Sequence, residues 1–286
     1  MSAPAVSLGS RQRRNVFFLT LVLSLVAFLW LFPFVFSFLA SFKTGNELLS
    51  NIWGLPESFD TANYESAFRG MKYARSFGNS MFVSISVALL QCVTGTLAAF
   101  AFARMRFPGK EIIFMLFLAT LMIPGTVTFL PNFLMVRGEV IPWGSWLNTL
   151  PALTVPFMST AFVIFLFRQF FLGIPHELYD AARIDGAGHL RFLTAVVVPM
   201  SKPVIMTATL LTFVSSWNEF LWPLLVTTTA TWRPLGVGLY TFISEAGPQT
   251  HLLMAGTVIT VIPVLIVYFF TQKQFTEGIA TSGLKG

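Results

Sequence analysis

The chain is 286 residues long, 55% hydrophobic and only 10% charged, with a mean hydropathy of +0.74. That composition excludes an ordinary soluble globule and predicts an all-α, polytopic membrane protein. Its net charge of +6 comes from basic residues scattered over polar segments without interleaved aromatics, which excludes nucleic-acid binding, and the single cysteine, Cys92, excludes a disulfide framework and a thiolate metal cluster.

A span needs about 20 mainly apolar residues to cross roughly 30 Å of hydrocarbon, and the sequence predicts six. The first, Val16 to Ala40, follows Arg11, Arg13 and Arg14 as the core of a secretory signal would, but about 25 apolar residues are too many for a cleaved segment, so it is read as a retained span. Ser41 to Phe77 is the longest polar stretch. Its Trp53, Pro56, Tyr64 and Tyr73 suit either an external protein partner or the membrane interface. Asn79 to Ala103, Ile112 to Met135, Leu147 to Phe171, Val204 to Val226 and Leu252 to Phe270 are the remaining spans. Pro33, Pro124, Pro131, Pro151, Pro156, Pro223 and Pro263 interrupt several of them, which suits a bundle around a pathway, where neighbours or water satisfy the freed carbonyls. The expected organisation is an N-terminal tail at 1–15, a transmembrane domain at 16–271 and a short polar tail at 272–286.

Placing the N-terminus inside puts twelve of the eighteen lysines and arginines in the cytoplasm and six outside, so both termini are predicted to be cytoplasmic. The connection between the fourth and fifth spans, 173–203, then faces the cytoplasm. It is a charged, helix-forming island. Pro175 has the fixed φ of a first helical position, Glu177 suits the positive helix end, and Gly186 permits a left-handed exit. Leu178, Ala181, Ala182 and Asp185 are spaced to share one face, which the two alanines keep narrow enough for close approach by another protein. A second helical run from about Ala187 to Val198 is expected to be broken or kinked by Pro199 and Pro203.

Asp180, Ala181, Ala182, Asp185, Gly186, Ala187, Pro199 and Pro203 resemble the cytoplasmic coupling loop of ABC importer permeases, whose pattern is Glu-Ala-Ala, two residues, Asp-Gly-Ala, then two prolines four apart. Asp180 stands where that family usually has Glu, and Leu193 where it often has Phe. Phe77-Gly78-Asn79-Ser80, the run Ala98 to Lys110, Ile123-Pro124-Gly125 with Pro131, Trp217-Asn218-Glu219-Phe220, and Glu277 to Gly286 are similar to the carbohydrate-uptake branch, typified by the smaller maltose permease subunit. The resemblance covers the chain from about Phe17 to Gly286. It implies a six-span type I importer fold that carries a sugar-like solute. It also implies a second, homologous permease, a pair of ABC ATPases that bind ATP and Mg, and an extracytoplasmic solute-binding protein. Asp180 to Ala187, with Arg183 among them, and the two prolines would couple the chain to the ATPase.

No Gly-x-x-x-x-Gly-Lys-Ser/Thr loop occurs, so the chain has no ATPase site of its own and is expected to bind no cofactor. No catalytic set is visible. His176-Glu177-Leu178-Tyr179-Asp180 lacks the second histidine of a helical zinc site, so no metal is expected. Glu219 is the sole ionisable residue of the fifth span, and a carboxylate within hydrocarbon should face protein or water. With Trp217 and Asn218 it either lines the solute pathway or bonds neighbouring helices. The rival reading of the whole chain is an ion-coupled secondary transporter, which calls for paired charges at mid-membrane and often an internal repeat.

Overall fold

The computed structural model of the chain describes residues 10–140, 144–244 and 247–283. Residues 1–9 of the expected N-terminal tail and 284–286 at the end of the expected C-terminal motif lie outside the described residues. The chain divides into two compact units, one made of Met1–Gly70 and Phe242–Val261, the other of Met71–Thr241 and Ile262–Gly286. Every long element is helical. Among the described residues the two-residue strands β1 (Ile243–Ser244) and β2 (Gly247–Pro248) pair antiparallel.

Within the first unit, α1 (Ser10–Ala40) is rich in leucine, phenylalanine and valine from Val16 onward, and Pro33 does not end it. The polar segment after it is tied by its own side chains. Thr44 caps α2 (Gly45–Ser50) in a reciprocal box, its Oγ1 accepting from the Glu47 amide at 3.2 Å while Glu47 Oε2 accepts from the Thr44 amide at 3.4 Å. Glu47 Oε1 also accepts from the Glu57 amide at 2.8 Å. Lys43 is buried and donates to the carbonyls of Asn51 at 2.6 Å and Ile52 at 3.2 Å. Asn63, on α3 (Ala62–Gly70), donates to the carbonyls of Ser41 and Lys43.

In the second unit α4 (Tyr73–Arg104) is the central span. The chain continues through α5 (Lys110–Ala119), α6 (Gly125–Arg137), α7 (Leu150–Thr154) and α8 (Ala161–Leu172). Then come α9 (His176–Ile184), α10 (His189–Phe192), α11 (Val198–Met200), α12 (Lys202–Asn218), α13 (Leu221–Val226) and α14 (Leu235–Leu239). The last helix, α15 (Thr250–Gly283), starts in the first unit, passes into the second at Ile262, and contains Pro263 without breaking. α4 packs most extensively on α8 and α12. Gly95 sets the α4–α8 distance, since a Cβ there would meet Val163 Cγ1 at 2.7 Å. Around that approach Ala99, Phe100 and Ala103 of α4 pack with Phe167 and Phe171 of α8 and with Phe192, Leu193 and Val197 beyond it.

Among the described residues three single helices are long and apolar enough to cross a membrane, over Arg14–Ala40, Tyr73–Arg104 and Thr250–Phe269, and counting each bent pair as one span brings the number to six. Lys110–Met122 and Gly125–Arg137 meet at 102°, and Leu150–Phe157 and Ala161–Leu172 at 46°. The third expected span is therefore folded back at Ile123–Pro124, a much sharper break than a kink: Pro124 holds φ −57° and ψ 132° and lies outside both helices. His189–Met200 and Lys202–Asn218 also pass as a bent pair at 82°, but the former carries the exposed Arg191 and Thr194, so we assign the fifth span to α12 followed by α13.

Candidate functional site

The segment between α8 and α12 is built as a braced bracket. α9 starts at His176, with Pro175 just outside it at φ −54° and ψ 141°; the proline precedes the first helical residue that the sequence reading assigned to it. α9 ends in two crossed hydrogen bonds, Ala187 N–H to Ala182 O at 2.8 Å and Gly186 N–H to Arg183 O at 3.0 Å, with Gly186 left-handed at φ +75°. Tyr179 turns inward, stacks on His189 and bonds its Nδ1 at 3.0 Å, and meets Phe192 edge-on. Ala182 is half-buried and packs on the same core. The expected shared face is thus divided: Ala182 faces inward, while Leu178, Ala181 and Asp185 face out. Ile184 is 87% exposed, and among the described residues neither Asp180 nor Asp185 has a side-chain partner.

The second helix also differs from its expected form. α10 passes without a break through a π turn at Leu193–Val197 into α11, with Val198 N–H reaching back five residues to Leu193 O. Pro199 has no N–H and its ring crowds the carbonyl four residues earlier, so widening the preceding turn carries the helix past it. The break falls at the buried Ser201, and Pro203 stands in the first turn of α12, where a missing N–H costs nothing. At the base of the bracket, buried Arg104 at the end of α4 donates from Nη2 to the carbonyls of Phe171, at 2.6 Å, and Ile174. Arg168 of α8 reaches Glu111 on α5 at 3.4 Å and lies 4.1 Å over the Phe114 ring.

A cavity of about 460 Å³ opens among α4, α7, α8, α12 and α13, within the range of small-ligand sites. Gln91 organises it, donating to Phe157 O at 2.8 Å and accepting from Thr212 Oγ1 at 3.0 Å. Ser215, Ser216 and Glu219 add oxygens to the wall, and Trp222 closes one side. Trp222 spends its indole N–H on Ala152 O at 2.9 Å and stands edge-on to Phe129 and Phe157. Glu219 lies at the break between α12 and α13, where Oε1 accepts from the Trp222 amide at 3.2 Å. Hydroxyls, one carboxylate and an aromatic wall can bind a polyhydroxylated solute. The described residues hold no cluster of three or more His, Cys, Asp or Glu able to take a metal ion.

Residues 91–280 match the family described as binding-protein-dependent transport system inner membrane component. The chain belongs to that family. The arabinooligosaccharides transport system permease protein AraQ of Halalkalibacterium halodurans is 34% identical over 276 residues, covering 94% of this chain and 96% of that one. The sn-glycerol-3-phosphate transport system permease protein UgpE of Brucella abortus (strain 2308) is 33% identical over 269 residues, covering 91% and 94%. In fold, the chain is similar to one from a crystal structure of a bacterial ABC transporter involved in the import of the acidic polysaccharide alginate, with a TM-score of 0.80, 24% identity, and coverage of 94% and 99%. The protein is a membrane-embedded, all-α permease subunit of an ABC importer.

Of the three permease residues expected along the pathway, only Glu219 lines the cavity. Trp217 is buried against Phe213 and edge-on to Phe77, and Asn218 is exposed at the end of α12. Sequence reasoning passed over Gln91, Thr212, Ser215 and Ser216. The clue for Gln91 was available, since it is the only side-chain amide between Ser80 and Arg104. The hydroxyls carried none, because serine and threonine in a span are commonly absorbed by the carbonyl one turn back.

Proposed function

We propose that this permease, with a second homologous permease, carries a sugar-like solute into the cytoplasm across the cell membrane, with both its termini on the cytoplasmic side. A pair of ABC ATPases supplies the energy, holding ATP and Mg, and an extracytoplasmic binding protein delivers the solute; this chain binds no cofactor. The bracket of α9 to α11 is the coupling element. Its outward face, with Asp180, Ala181, Arg183, Ile184 and Asp185, docks on one ATPase. Gly186 and Ala187 fix the corner, and Pro199 and Pro203 fix the path back to α12. The cavity around Gln91 and Glu219 is this subunit's share of the pathway.

The observation that carries this reading is the contrast between the two sides of α9: an inner side locked by Tyr179, Ala182 and the Arg104 bonds, and an outer side left with a bare isoleucine and partnerless carboxylates. A rigid lever with an unsatisfied face transmits rigid-body motion from a partner. The names of its relatives support oligosaccharide and glycerol-phosphate chemistry for the solute.

The test is uptake by proteoliposomes holding the complete transporter, supplied with binding protein and a panel of arabinooligosaccharides, other oligosaccharides and glycerol 3-phosphate. Uptake of one class should require ATP and Mg on the ATPase side and survive collapse of ion gradients. Uptake that runs on an ion gradient without ATP would establish the secondary-transporter reading instead.

A further inference from the structure

We propose that residues 49–59 form an outer-leaflet anchor, a rigid loop that leaves the membrane at the end of α1 and dips back into the bilayer interface. The observations come from the first unit alone. α1 contributes a 27-residue apolar span, Arg14–Ala40, which at 1.5 Å per residue is about 40 Å long and exceeds the roughly 30 Å hydrocarbon core. The excess of about 10 Å carries the ends of α1 into the interfacial layers. The chain leaves α1 at Ala40 and then reverses: the Trp53 ring stands 5.5 Å from Phe36 and 6.3 Å from Phe32, centroid to centroid. Phe32 lies about 12 Å down the helix from Ala40. Trp53 is thereby fixed at the depth where indole rings concentrate in membrane proteins.

What surrounds Trp53 fits that depth. Leu49 is 89% exposed, Trp53 75%, Leu55 72% and Phe59 64%, and through Trp53 this apolar stretch joins the exposed Phe32 of α1. Several of the loop's polar groups are paired within the loop and its base: the carbonyls of Asn51 and Ile52 on Lys43, the Glu57 amide on Glu47, and the Gly54 amide on Asn51 Oδ1 at 2.9 Å. Internal pairing of this kind lets irregular backbone enter a layer poor in water. A loop that held its apolar side chains out toward bulk water would gain nothing from the exposure.

Single cysteines at Leu49, Trp53 and Leu55, and at Thr61 as the water-side control, each in a Cys92→Ser background, would carry nitroxide labels. The complete transporter would be reconstituted in phosphatidylethanolamine and phosphatidylglycerol vesicles. Collision with oxygen should exceed collision with a water-soluble nickel chelate severalfold at the first three sites, with the reverse at Thr61, and adding the solute-binding protein should change neither. Nickel-dominated collision at Trp53 and Leu55 would overturn the anchor, as would exclusion of both reagents, which marks a protein cover. Protection that arises only with the binding protein would assign the loop to that partner. A second measurement leaves the loop uncut by labels: bromine-bearing acyl chains should quench the native protein's tryptophan fluorescence more than that of Trp53→Phe, and equal fractional quenching would also sink the proposal.

Discussion

Gly186 has a φ of +75° and no atom within 4 Å of the position a Cβ would take, so any substitution there is felt through the backbone alone. A left-handed L-residue costs roughly 1–2 kcal/mol, and β-branching adds to it. Asparagine bears this conformation better than valine. Gly186→Asn should therefore transport nearly as well as the wild type, and Gly186→Val should lose about tenfold in transport and in binding-protein-stimulated ATP hydrolysis together, since 1.4 kcal/mol is a factor of ten. Equal activity of the two variants, measured at equal amounts of assembled complex, would show that the corner's geometry does not set coupling. Arg104 gives a second reading of the same bracket. Its guanidinium bonds to the Phe171 and Ile174 carbonyls tie α4 to the start of the loop. In Arg104→Gln the complex should assemble and hydrolyse ATP while solute uptake falls severalfold; a proportional loss of both activities would reduce Arg104 to a helix cap. At Glu219 the structure separates two roles that the sequence left joined. The carboxylate faces the cavity and also holds the Trp222 amide. Glu219→Gln keeps an acceptor and should leave the melting temperature unchanged while altering the uptake profile across sugars. Glu219→Ala should lose about 1 kcal/mol as well, the worth of a helix cap. An unchanged profile in both would leave Glu219 purely structural.

At the scale of elements, the sequence was most legible where local chemistry dictates backbone. The left-handed exit at Gly186 follows from glycine after a helical run, and α9 ends at Ile184, two residues before the end expected at Gly186. The expected spans matched the helices α1, α4 and α15 because long apolar runs admit one solution in lipid. Proline told less. Pro33 and Pro263 sit inside helices, Pro124 stands at a 102° fold-back, and Pro199 is carried by a π turn. The same residue type gives three outcomes because what decides them is which neighbour takes up the freed carbonyl, and that is a tertiary fact. The bracing role of Arg104 was missed for the same reason: its carbonyl partners lie 67 and 70 residues away. The cavity was the least legible of all, since Gln91, Thr212 and Trp222 come from three helices and no spacing in the sequence brings them together.

For the whole molecule, the distribution of lysine and arginine remains the argument for orientation, and the fold adds accessible positions to test it. Thr61 and Gly188 are both exposed. Cysteines at these positions in a Cys92→Ser background should respond oppositely to an impermeant thiol reagent on intact cells, Thr61→Cys labelling and Gly188→Cys labelling only after lysis. Labelling of both from outside would overturn the six-span arrangement with cytoplasmic termini.

The fold-back at Ile123–Pro124 bears on how such a chain is made. Lys110 to Arg137 carries enough apolar length to pass for one straight span, and insertion machinery that reads hydrophobicity along the sequence would release it into lipid as such. A right-angled turn, however, bares backbone carbonyls that hydrocarbon does not satisfy. In the folded chain its two arms pack against α8 and α13, both later in the sequence. The third hydrophobic segment is therefore inserted before it is shaped, and its final geometry waits on residues translated some tens of positions later.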